Sequence, residues 1–137
     1  MKKSFYKALK GLGKMIPLFL VVILFMGLFL AHISEEIMSE IFTGDPLRDT
    51  PVGAVIGSIS AGNPITSYIV GGELLKKSVS LYAVTAFIVA WVTVGVIQYP
   101  AESAILGTRF AIKRNILSFI LSILVAIATV TTLGVLQ

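Results

Sequence analysis

Long apolar runs alternate with short polar interruptions along this chain. Residues 15–33 carry no charge and predict a membrane-spanning helix, with Pro17 in the first turn, where proline is tolerated. Residues 34–50 are acidic, with Glu35, Glu36, Glu40, Asp45 and Asp49 against Arg48 alone. They predict a short amphipathic helix over roughly 34–42, with Ser34 as its N-cap and two glutamates in its first turn. Thr43, Gly44, Asp45 and Pro46 then predict a turn. Residues 80–98 and 115–135 predict two further uncharged spans.

The stretch 51–75 is different. It is apolar enough for a membrane, yet Ser58, Ser60, Gly62, Asn63, Pro64, Thr66 and Ser67 interrupt it midway. Pro64 has no backbone N–H, and its ring opposes a continuous helix. Broken backbone at membrane depth persists only where protein buries it or where it lines a wet cavity. Gly53, Gly57, Gly71 and Gly72 are suited to close helix packing, a structural role that competes with ligand binding. The pattern predicts an all-α integral membrane protein of about four segments, forming a single domain with a break or re-entrant turn at 62–64.

Composition agrees with this reading. Hydrophobic residues make up 56% and charged residues 13%, with mean hydropathy +0.96, about half the usual charge fraction of a soluble domain. The net charge is +4, but Lys2, Lys3, Lys7, Lys10 and Lys14 precede an apolar run. This is the arrangement of a cytoplasmic flank over residues 1–14 rather than of a nucleic-acid groove. Phe5, Leu9 and Leu12 share one helical face there, in an interfacial helix or a frayed basic tail. A signal peptide is disfavoured, because 15–33 exceeds the usual core length and Ala31, His32 and Ile33 break the cleavage pattern. The predicted location is the cell membrane, with several passes.

The absence of cysteine excludes disulfides, thiolate metal sites and cysteine nucleophiles, and a lone His32 makes no histidine-rich zinc site. The acidic segment lacks the alternating oxygen ligands of a calcium loop. No cofactor is expected. Two topologies stay open. A full crossing by 51–75 puts seven of the eleven Lys and Arg inside; a re-entrant hairpin puts eight inside.

Gly57, Gly62, Pro64, the run 71–75, Val79, Ser80, Leu81 and the run 86–90 occur in an order that resembles the predicted-permease family that includes the organoarsenical efflux permeases. Members are typically about twice this length, with two related halves, so the resemblance implies a half-size permease. It also implies a broken helix at 62–64 faced by a following helix near Trp91 and Thr93. In the arsenical exporters the break is associated with cysteine. Ala61, Gly62 and Asn63 stand there in this chain, so arsenic is not carried over as the substrate.

The expected activity is passage of a small solute or ion through a homodimer, each chain supplying half of the pathway within the lipid bilayer. Ser60, Gly62, Asn63, Pro64, Thr66, Ser67, Trp91 and Thr93 are the candidate solute contacts, with Gln98 continuing the path. Glu73 and Glu102 are candidates for proton coupling, against a competing role as solvated or salt-bridged edge residues. A non-transporting subunit of a larger membrane complex is the main alternative. An intramembrane serine enzyme is disfavoured, because no base lies near Ser58, Ser60 or Ser67 in sequence, and no Walker-type loop is present.

Overall fold

The structure, a computed structural model, describes residues 35–60, 63–96 and 98–136, and before them Pro17, Leu20, Val21, Leu24 and Leu28. The chain divides into two units, Met1–Ser34 and Glu35–Gln137. In the first, the five described residues are helical, and Leu20, Val21, Leu24 and Leu28 form an exposed apolar stripe. The basic flank, the rest of the 15–33 span, His32 and the Ser34 cap lie outside the described residues, as do Ala61 and Gly62.

The described part of the second unit is all-helical: α1 (Glu35–Ile41), α2 (Pro46–Ile59), α3 (Pro64–Lys76), α4 (Leu81–Thr93), α5 (Tyr99–Leu106) and α6 (Thr108–Leu136). Helix α2 begins five residues before the expected position. Asp45 caps it, its side chain accepting from the Leu47 N–H at 3.0 Å, and Pro46 sits at the first helical position. Pro51 falls inside the helix, where it costs one backbone hydrogen bond without ending it. The helix stops at Ile59, and Ser60 is extended. Asn63 caps α3 in the same manner, and Pro64 opens it. The proline that forbids one long helix therefore starts the next.

Helix α4 is shorter than its predicted span. Ser80 caps its start, and the backbone turns extended at Val94, leaving 13 helical residues, about 20 Å at 1.5 Å per residue. Gly107, with φ 86°, turns the chain from α5 into α6. Of the predicted segments among the described residues, only the last is long and apolar enough to cross a membrane as one helix.

Register follows from the glycines. Gly53 lies against the backbone of Ala83 and Gly57 against that of Phe87, so α2 and α4 run parallel. Helix α3, which joins the end of α2 to the start of α4, must run antiparallel to both, and Gly71 on it packs on Val84 and Ile88. Residues 46–76 thus form two antiparallel helices that reverse direction between Ile59 and Pro64, each packed on α4. Helix α6 runs back along α4. Its start meets Gly95 through Asn115, and farther along Ala126 joins Ala54, Ala86, Ala90 and Val94 in one core, flanked by Phe119 and Ile123.

Apart from Phe87 and Leu74, the buried core is made of alanine, valine and small polar side chains. Among the fully buried ones the largest are Val84, Thr50, Asp49, Ser67 and Ser122, while Leu47, Ile105, Leu117, Leu124 and Val135 are exposed. Small residues at the helix contacts let the backbones approach closely. Charge is segregated as well. Arg48, Asp49, Glu73, Lys76 and Lys77 share one end of the bundle, and Glu102, Arg109, Lys113 and Arg114 the other. Residues 50–72, 78–101 and 115–136 between them carry none.

Candidate functional site

The described residues of the predicted site collect at the second of these ends, Gly62 lying outside the described residues. Ser60 and Asn63 flank the turn between α2 and α3, Pro64, Thr66 and Ser67 form the first turn of α3, and Trp91 and Thr93 lie in the last turn of α4. The parallel register of α2 and α4 sets this placement, since Ser60 is as far past Gly57 as Ala90 is past Phe87. The break therefore sits at an end of the helical bundle rather than halfway along it.

Most of these polar groups are engaged locally. Asn63 is exposed, and its Oδ1 accepts from the Ile65 N–H at 3.0 Å. Ser60 Oγ donates to the Ile56 carbonyl at 2.7 Å, Ser67 Oγ to the Pro64 carbonyl at 2.6 Å and Thr93 Oγ1 to the Val89 carbonyl at 2.7 Å. Each hydroxyl has spent its proton on a helix carbonyl and retains only acceptor capacity. Trp91 stands edge-on to Phe87, with ring centroids 5.3 Å apart and planes at 76°. Thr66 is half-buried.

A charged network completes this end of the bundle. Arg114 pairs with Glu102 Oε1, and its other terminal nitrogen donates to the Thr93 carbonyl at 3.4 Å. Asn115 Nδ2 donates to Glu102 Oε2 at 3.2 Å and to the Ala111 carbonyl at 2.9 Å, while its Oδ1 accepts from the Gly95 N–H at 2.8 Å. The second turn of α6 thus satisfies backbone groups exposed where α4 ends. Glu102, with Gln98, Ala101, Ile105 and Leu106, also lines an open cavity of about 300 Å³ along one face of α5.

Both glutamates considered for proton coupling are ion-paired, since Glu73 meets Lys76 at 2.7 Å on the exposed side of α3. Asn115 and Gly95 were absent from the sequence-based site. Asn115 stands at the head of an apolar run, and nothing local in the sequence ties it to Gly95 twenty residues earlier. At the opposite end, Asp49 is buried and accepts from the Thr43 and Gly44 N–H groups at 2.9 and 2.8 Å, which fixes the turn before α2. No three histidine, aspartate or glutamate side chains come together as metal ligands among the described residues. Comparison with known proteins adds no family, since no family model, curated protein or solved structure matches the chain.

Proposed function

We propose that this chain is a multi-pass membrane permease subunit that moves a small solute or ion, with a second copy completing the pathway. The observation that carries the reading is the segregation of charge to two ends of a helical bundle that is uncharged between them, with a hydroxyl-rich, proline-broken turn at one end. In this reading α2 and α3 run from one charged end of the bundle to the other and back, and Ser60, Asn63, Thr66 and Thr93 form one mouth of the pathway. The spent hydroxyl protons leave oxygen lone pairs, which suit a cation or a hydrogen-bond donor. The resemblance of 57–90 to the permease family supports the same reading, and a half-size chain needs a partner to enclose a path.

Flux of monovalent ions and small neutral polar solutes into proteoliposomes tests it. Flux above that of protein-free vesicles is expected for at least one solute, with a severalfold loss on Asn63→Ser, which keeps the helix cap but removes the amide. Absence of flux for every solute tested, with the protein folded and inserted, overturns the proposal.

A second reading has its own support. Ser60, Ser67, Thr93, Glu102 and Arg114 are all internally bonded, as in a non-transporting subunit of a larger complex. Purification from native membranes with a stoichiometric larger partner, together with absent flux, favours that reading.

A further inference from the structure

Helix α6 carries one surface stripe that changes character abruptly. Arg109 and Lys113, one turn apart and both exposed, begin it. Ile116, Ile120 and Leu124 continue it, at 58%, 49% and 55% exposure. From residue 115 to residue 136 there is no charge, a length of about 33 Å at 1.5 Å per residue, against a hydrocarbon core of roughly 30 Å. The third cation at this level, Arg114, is withdrawn into the bundle by Glu102, whose second carboxylate oxygen is held by Asn115. Among the described residues no carboxylate pairs with Arg109 or Lys113.

We propose that Arg109 and Lys113 bind the phosphate headgroups of anionic phospholipid, at the line where this stripe passes from headgroup to acyl chain. The inference rests on the membrane reading above and deepens it by naming the lipid and the residues that recognise it. Two unpaired cations on one face supply the electrostatic complement to an anionic headgroup, and the apolar run directly below supplies the surface for its acyl chains. Among the described residues Glu102 is the carboxylate at this end of the bundle, and its pairing with Arg114 and Asn115 leaves the two surface cations to the lipid.

The full chain, purified in a nonionic detergent, provides the test. Its thermal stability is titrated with phosphatidylglycerol and, separately, with phosphatidylcholine. Phosphatidylglycerol is expected to raise the melting temperature of the wild type, R109K/K113R and K76Q/K77Q. Its apparent affinity is expected to fall about tenfold or more in R109Q/K113Q, a loss on the scale of two near-surface charges. The lipid-free melting temperature of that variant is expected to stay at the wild-type value. Equal affinity in R109Q/K113Q and the wild type overturns the proposal, as does equal stabilisation by phosphatidylcholine or by inorganic phosphate. A stripe covered by a second copy, recognised by oligomerisation that R109Q/K113Q abolishes without any lipid effect, overturns it too. Failure of the membrane reading is distinguishable, because the wild-type chain would then leave membranes in alkaline wash without detergent.

Discussion

Gly57 lies so close to the Phe87 backbone that a Cβ there would overlap the Phe87 carbonyl oxygen and stand 3.0 Å from its carbonyl carbon. Gly53 meets Ala83 in the same way one turn earlier, so α2 and α4 touch backbone to backbone along a Gly-xxx-Gly face. Gly57→Ala is expected to destabilise the bundle by about 1–3 kcal/mol, the usual cost of overpacking, because backbone atoms have no rotamer to yield. A Cβ at Gly72 meets nothing within 4 Å, and the position is helical. Gly72→Ala is therefore expected to be neutral or to stabilise by up to about 1 kcal/mol. Thermal unfolding of both variants in detergent checks the contrast, and similar melting temperatures would refute the tight interface.

Asn63 has a cap to lose as well as a candidate solute contact. Asn63→Ala is expected to cost about 1 kcal/mol through the unsatisfied Ile65 N–H, whereas Asn63→Ser retains an equivalent acceptor. Unfolding midpoints ordered wild type, serine, alanine are the expected outcome. An alanine variant as stable as the wild type would remove the capping role.

The parts of this fold legible in the sequence are those set locally. Pro64 after a serine- and glycine-rich run marks a break, and the glutamates after residue 34 mark a short helix. Pro51 was the misleading residue. It reads as a boundary, but Asp45 and Pro46 together start α2 earlier, and the helix absorbs Pro51 in its second turn. The return direction of α3 was not legible, because it follows from Gly53 and Gly57 meeting Ala83 and Phe87 some thirty residues away. Nor was the Glu102, Arg114 and Asn115 network, which joins three elements through contacts that no local pattern encodes.

The pairing of Glu102 and Arg114 is expected to be coupled. The side chains are 16% and 36% exposed, so removing one partner strands a half-buried charge. Glu102→Gln or Arg114→Gln alone is expected to cost about 1–3 kcal/mol, with the double variant losing less than the sum. A double-mutant cycle by chemical unfolding measures the coupling energy. A value near zero would show a surface pair with no structural role.

Ser78 adopts φ 62°, in the left-handed region, between α3 and α4. Ser78→Gly removes the Cβ penalty of that conformation and is expected to stabilise by up to about 1 kcal/mol, less the entropy that glycine returns to the unfolded chain. A clear fall in melting temperature would show that the serine side chain contributes more than its backbone costs.

Lys76 and Gln98 are both exposed and lie at opposite ends of the bundle, Lys76 with the charges that flank α2 and Gln98 with Glu102. The chain has no cysteine, so Lys76→Cys and Gln98→Cys report their own positions without background. If the bundle crosses the bilayer in one orientation, an impermeant maleimide applied to intact cells is expected to label one position fully and the other only after permeabilisation. If the subunit inserts in both orientations, as an antiparallel pair requires, each position is expected to label in part from outside and fully after permeabilisation. Full labelling of both from the same side would refute the crossing itself. It would place the hairpin, α4 and the charged network together on one face of the membrane.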